Sequence, residues 1–243
     1  MSANNKIQPS PQLWYGDMYQ EDEYADLRLK TYAELLFPYL HEGSKILDIG
    51  CYTARLLDFL PKDKHIEYWG VDFDKKALEI AEQKGAITKF VRFDSEALPF
   101  REQFDIIVCG EVLEHLINPA NILVQMQCLI KPDGMVLISL PNECTIYHRI
   151  MCLFGKGVDS LAFHLYKHLH LPTIKQSEQF ISGYFKIVKK AYFVNPGGKG
   201  SRWEILGKIT SILPNSFWQW LGNLLPTLFA RGTVFLSKVD KYK

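Results

Sequence analysis

Lys45-Ile46-Leu47-Asp48-Ile49-Gly50-Cys51-Tyr52-Thr53-Ala54-Arg55-Leu56-Leu57 is the stretch whose reading decides the fold. It opens as a short apolar run, passes an acid and a glycine, and continues with helix-like spacing at Arg55, Leu56 and Leu57. That order describes a buried strand, a tight turn and the start of a helix. Such a turn exposes backbone N–H groups, and Gly50 lets a ligand approach closely because no Cβ stands there. Asp48 falls at the strand's carboxyl end, the side on which open α/β sheets hold their ligands. Taken alone, Asp-x-Gly after a strand is equally a strand entering a turn, so the segments around it have to decide.

They repeat the pattern. Ile66 to Asp72 reads as a second strand ending in an acid, and Asp74 is placed to cap a helix from Lys75 to Lys84. A third strand, Thr88 to Phe93, runs into Asp94-Ser95. Phe104 to Cys109 is a continuous apolar run suited to a central strand buried on both faces. A helix from Pro119 to Ile130 follows, then a turn at Lys131-Pro132-Asp133-Gly134 and a fifth strand from Met135 to Leu140. Strands alternating with helices at this interval predict an α/β, doubly wound, mostly parallel sheet.

Outside residues 44–142 the signals are less regular. Glu21 to Tyr39 has helical spacing, with Trp14, Tyr15 and Tyr19 ahead of it, and residues 1–43 read as a helical cap or a lid over a pocket. After residue 142 come helical spacing from Thr145 to Phe154, a histidine-rich run from Phe163 to Leu171, and a capping box at Thr173 and Gln176. Phe185 to Asn195 and Gly232 to Val239 supply two more strands, seven in all, with an antiparallel edge. Trp203 to Phe229 gives two apolar helical pieces split by Pro214-Asn215. This segment is either core and dimer surface or an interfacial helix touching a membrane. The expected organisation is one domain over 1–243, with its core at 44–142 and an acceptor-side insertion and edge strands at 143–243.

A formal net charge of +1 leaves no global field to attract nucleic acid. The five cysteines, at 51, 109, 128, 144 and 152, form no CxxC pair, which fits reduced thiols and a cytoplasmic location. Met1 to Lys6 lacks the apolar core of a signal peptide, and no apolar run approaches the roughly 20 residues of a membrane span.

Three strand ends thus carry Asp48, Asp72 and Asp94 along one rim of the sheet. An acid about twenty residues beyond a glycine turn is placed to hold a ribose diol. The third acid can accept from an exocyclic amine. The first loop has one glycine where a pyrophosphate-binding loop has three, and an acid two residues before it. That acid repels phosphate and suits a ligand bearing a sulfonium, so S-adenosylmethionine is favoured over a dinucleotide.

The chain here resembles the class I S-adenosylmethionine-dependent methyltransferases, of the broad small-molecule group that includes ubiquinone and menaquinone methylases. The matching stretches are Ile46 to Cys51, Gly70-Val71-Asp72, Phe93 to Phe100, Phe104 to Ile107, Glu111-Val112-Leu113-Glu114-His115 and Leu129 to Gly134. The resemblance implies a Rossmann-like fold in which Asp48 and Gly50 line the methionine moiety, with the Cys51 backbone approaching it. It implies Asp72 on the ribose, Phe73 packed on the adenine, Asp94 and Ser95 at the adenine amine, and Glu111 near the methyl group. It also departs from the family: Tyr52 and Ala54 stand where glycines are usual, so Tyr52 could turn outward, cover the methionine tail or weaken the site. A weakened site would leave a non-catalytic binding module as the alternative reading. Asp133 stands where a glycine is usual too, and the turn there calls for a positive φ.

Methyl transfer is an in-line displacement, and a base is needed when the nucleophile carries a proton. Candidates are His115, Tyr147, His148, His164, His168 and His170, with His115 best placed beyond a strand end. Glu111, Glu114 and His115 share a face if helical and could hold a divalent cation, though no metal is assigned. The expected acceptor is a small or lipid-linked molecule.

Overall fold

The structure, a computed structural model, describes residues 23–91, 97–155, 168–194 and 213–240. Seven strands form one sheet: β1 Lys45–Ile49, β2 Glu67–Asp72, β3 Ile87–Phe90, β4 Phe104–Gly110, β5 Ile130–Pro141, β6 Phe185–Phe193 and β7 Gly232–Val239. Their order across the sheet is β3-β2-β1-β4-β5-β7-β6. The first five are mutually parallel, and β7 enters antiparallel between β5 and β6. The parallel strands therefore share one carboxyl rim, which is where the acids of β1 and β2 collect.

Helices flank the sheet at α1 Glu23–Leu36, α2 Lys75–Gln83, α3 Pro119–Leu129, α4 Ile146–Leu153, α5 Ile174–Ser182, α6 Asn215–Leu224 and α7 Pro226–Phe229. The period-two alternation of β4 shows how both faces are covered. Ile107 and Cys109 join the cluster containing Ile122, Leu123 and Met126 of α3 and Ile181 of α5. Ile106 and Val108 join the opposite cluster, with Tyr32, Leu35 and Leu36 of α1 and Ala81 of α2. A strand buried on both faces must be apolar at every position, and that is why β4 reads as an unbroken hydrophobic run.

Three helix ends follow from local chemistry. The Asp74 carboxylate accepts from Lys76 N and Ala77 N and starts α2. Pro119 occupies the first turn of α3, where its missing N–H costs nothing. Thr173 and Gln176 form a reciprocal capping box on α5.

The fold departs from the sequence reading at three places. The segment after the first turn is a short 3-10 helix, Arg55–Phe59, in place of an α-helix, and it closes at Leu60, which the following Pro61 holds extended. Lys131 to Gly134 is no reverse turn but is carried within β5, opposite Asp105, where the register shifts between Phe104 and Ile106. Neither Asp133 nor Gly134 takes a positive φ. Gly134 is needed for space instead, since a Cβ there would meet Ile130 Cδ1 at 2.7 Å and the Asp105 carbonyl oxygen at 2.9 Å. Finally, β3 ends at Phe90, short of the acid expected to close it.

Several expectations concern residues outside those described: Trp14, Tyr15 and Tyr19, Asp94 and Ser95, Phe163 to Lys167 including His164, and Trp203 to Ile212. Among the described residues no helix is long and apolar enough to cross a membrane.

Candidate active site

Asp48 is the penultimate residue of β1 and points to the α1 side of the sheet, the same side as Ile46. Its neighbour across β2 is Gly70, and the Tyr68 hydroxyl donates to its carboxylate. Only 7% of Asp48 is exposed. Burial pushes its carboxyl up to about 7, the Tyr68 hydrogen bond partly opposes this, and the nearby Asp72 charge adds to it. Asp72 is also buried. Its two oxygens accept from Tyr52 N and Asp74 N, each at 2.9 Å. Burial raises its carboxyl, and backbone N–H groups of Asp74, Tyr52 and Phe73 pull the other way. Phe73, the next residue, leaves 46% of its surface exposed.

The glycine turn works differently from the expectation that its N–H groups face a ligand. Gly50 N and Cys51 N both donate to the Val71 carbonyl, at 2.8 and 3.1 Å, and so tie the turn to β2. Gly50 has φ +74°, and a Cβ on it would lie 2.3 Å from Val112 Cγ2. The space left by the absent side chain is taken by Val112. The substitution Gly50→Ala is accordingly expected to destabilise the chain by about 2–4 kcal/mol in urea denaturation, from overpacking and backbone strain together. Adding Val112→Ala should recover the steric part only.

Tyr52 and Ala54 both adopt positive φ, +50° and +51°, the left-handed region that glycine favours. The backbone thus keeps the conformation associated with glycine despite the side chains, at a cost of about 1–2 kcal/mol per residue. Tyr52 keeps its N–H on Asp72. Cys51 is buried under this loop, and its Sγ occupies the space beside Gly70.

At the neighbouring strand end, Glu111 follows β4 with φ +57°. Ser139 Oγ of β5 donates to one of its oxygens at 2.7 Å, and Arg28 Nη1 of α1 lies 3.4 Å from the other. The Tyr32 hydroxyl shares a hydrogen bond with Ser139 Oγ. Helix α1 is therefore bonded directly to the rim.

Leu113–His115 forms a 3-10 turn just beyond. The Glu114 carboxylate is fully buried and has no hydrogen-bond partner among the described residues. Burial and the Glu111 charge drive its carboxyl well above the ordinary range. Its Oε1 is 3.9 Å from His115 Nε2 and 4.0 Å from His168 Nε2. The segment carrying His168 is held by Leu169 N and His170 N, both donating to the Glu114 carbonyl. His168 Nδ1 lies 2.7 Å from Glu143 Oε1, and His148 Nε2 lies 3.7 Å from Glu143 Oε2. The ring of His115 meets that of His168 edge-on at 4.8 Å. Glu114, His115 and His168 each bring one ligand atom within 4.8 Å of the others, a spacing that admits a divalent cation.

The structure thus brings together Asp48, Gly50, Cys51 and Asp72 on one side of the rim and Glu111 and His115 on the other. Asp94 and Ser95 lie outside the described residues. Sequence reasoning missed Tyr68, Ser139, Arg28 and Glu143. Glu143 had a usable signal, being an acid two residues past the carboxyl end of β5.

A family model described as "Methyltransferase domain" matches residues 19–179. Among curated proteins, the chain is 29% identical over 129 residues to the ubiquinone biosynthesis O-methyltransferase of Neisseria meningitidis serogroup C, covering 50% of this chain and 48% of that protein. It is 31% identical over 125 residues to the protein of that name from Haemophilus ducreyi, covering 47% and 50%. The chain spans about half the length of these relatives. Among solved structures, it superposes on the N-methyltransferase NodS of Bradyrhizobium japonicum WM9, bound to S-adenosyl-l-homocysteine, with a TM-score of 0.58 at 13% identity, covering 93% of this chain and 92% of that one. At that identity the likeness concerns the fold.

Proposed function

The chain belongs to the methyltransferase-domain family, and from that premise we propose that it transfers a methyl group from S-adenosylmethionine to a hydroxyl oxygen of a small or lipid-linked aromatic acceptor. The observation that carries the donor assignment is the pair of buried carboxylates, Asp48 and Asp72, either side of the β1 turn. Two acids in a low-dielectric rim repel a phosphate and favour a cationic, ribose-bearing ligand. Asp72 would hold the ribose hydroxyls, Asp48 and the turn at Gly50 and Cys51 the methionine end, and Phe73 the adenine face. Bound there, the donor supplies an electrophilic methyl group on a positively charged sulfur. Glu111, anchored by Ser139 and Arg28, would face the methyl group.

Two features support an enzyme over a binding module that has lost its chemistry. The turn keeps its left-handed backbone at Tyr52 and Ala54, and both strand-end acids remain buried and oriented. The hydroxyl acceptor is supported by the relatives, which are O-methyltransferases of ubiquinone biosynthesis.

The test is to incubate the chain with S-adenosylmethionine and 3,4-dihydroxybenzoate, a simple vicinal diphenol, and to follow products by mass spectrometry. The expected product carries one added methyl group on oxygen. Donor binding with methylation of amines and none of phenols would overturn the oxygen assignment.

A further inference from the structure

Glu111 holds a backbone conformation that favours glycine, with φ +57° just beyond the carboxyl end of β4. A side-chain-bearing residue persists in that region only where its surroundings fix it, and such residues gather at functional sites. The register of β4 with β5 sets Ser139 beside Gly110. The Ser139 carbonyl accepts from Glu111 N at 3.2 Å, and the Ser139 hydroxyl donates to Glu111 Oε1 at 2.7 Å. One residue thus grips both the main chain and the carboxylate of Glu111. Arg28 Nη1 stands 3.4 Å from the other oxygen, outside the roughly 2.7–2.9 Å of a charge-assisted hydrogen bond, so Ser139 provides the short directional hold.

The serine is itself oriented. A hydroxyl has one hydrogen, and that of Ser139 lies on Glu111, so Ser139 Oγ accepts from the Tyr32 hydroxyl. Donation therefore runs in one direction, from Tyr32 to Ser139 to Glu111. Tyr32 and Ser139 are both buried. The Tyr32 ring reaches them from α1 across Gly110, where a Cβ would lie 2.8 Å from both its Cε2 and its hydroxyl oxygen. Packing of that ring against Phe193 and beside Leu35 and Leu36 does not call for the hydroxyl. The Glu111 side chain at the end of this chain keeps 18% of its surface exposed, so a ligand at the rim can meet it.

We propose that Tyr32 and Ser139 are positioning residues that hold the Glu111 carboxylate against the transferable methyl group, and that this hold favours the methylated sulfonium over the demethylated thioether. The inference rests on the methyl-transfer reading above, in which Glu111 faces the methyl group. A carboxylate fixed beside a sulfonium gains Coulomb attraction from the cation, and the gain is larger in a partly buried rim than in water. It vanishes once the methyl group has left, because the thioether sulfur is neutral. A held Glu111 thus favours loading of the donor and departure of the spent product. Released from Ser139, the carboxylate turns to water or to Arg28, and the discrimination falls.

The experiment is calorimetric titration of the full chain with S-adenosylmethionine and with S-adenosylhomocysteine, reading the ratio of the two Kd values. Glu111→Gln should shift that ratio toward the thioether by about 10-fold. Tyr32→Phe and Ser139→Ala should each shift it by about 3–5-fold, with the Kd of S-adenosylhomocysteine changed by less than about twofold. In a Glu111→Gln background Tyr32→Phe should add nothing, a non-additivity that a merely structural tyrosine would not produce. Tyr32→Phe keeps the ring and its packing, so it carries the test even if Ser139→Ala, which strands the buried Tyr32 hydroxyl, fails to fold. A ratio in Tyr32→Phe equal to that of the wild type, or the same shift with and without the Glu111 carboxylate, overturns the proposal. Failure of the wild type to bind either ligand sinks the function itself, whereas binding of both with a ratio indifferent to Tyr32→Phe sinks only this inference.

Discussion

Asp72→Ala is expected to weaken binding of S-adenosylhomocysteine by about 10²–10³-fold in calorimetric titration. The carboxylate holds two jobs at once. It is the group proposed to accept from the ribose diol, and each such charge-assisted bond contributes about 1.5–3 kcal/mol. It also anchors the donor loop, through Tyr52 N and Asp74 N at 2.9 Å each. Removing it leaves the Tyr52 N–H without its acceptor at a residue already held in the left-handed region. Loss of about 3–4 kcal/mol converts to the stated factor. Affinity unchanged within about threefold would mean that the ribose is held elsewhere. Because Asp74 separately caps α2, the variant should remain folded, which a thermal melt will show.

Asp48→Asn should move stability and donor binding in opposite directions. The folded state raises the Asp48 carboxyl from 3.8 to about 7, chiefly by burial. A raised acid favours the neutral form in the fold, so its contribution is fully present below the unfolded value. It fades as pH rises and is gone above about 7. A shift of this size corresponds to up to about 4 kcal/mol of stability lost between acid and neutral pH. Asparagine cannot ionise, and its amide oxygen can still accept from Tyr68. Asp48→Asn should therefore equal the wild type in urea denaturation near pH 4 and exceed it near pH 8. Binding of the sulfonium donor should fall in the same variant, since the countercharge is gone. A stability difference that does not change with pH would refute the assignment of the burial penalty to Asp48.

The order of strands and acids was legible because each parallel strand is buried on both faces and ends where its apolar run ends. Ile46 to Ile49, Val71-Asp72 and Phe104 to Cys109 show this directly. What escaped was three-dimensional. The space beside Gly50 belongs to Val112, sixty-two positions further along the chain, and no local pattern announces that contact. Tyr68 and Ser139 looked like ordinary strand residues, yet their hydroxyls hold Asp48 and Glu111. Lys131 to Gly134 carries turn-forming residues but lies within β5, as a break in register with β4 between the Ile130 and Met135 pairings. The histidine cluster escaped for a related reason. His115 stood at a strand end in sequence, whereas the carboxylate that orients a histidine reaches His168 from a different loop.

Titration of the wild-type chain with S-adenosylmethionine and with S-adenosylhomocysteine, at about pH 6 and about pH 8, tests the central idea that buried acids receive a cationic donor. The sulfonium ligand should bind more tightly at the higher pH and release a proton at the lower one, while the neutral thioether should show a much smaller dependence. Equal pH behaviour for both ligands, or no heat from either at saturating concentration, would contradict it.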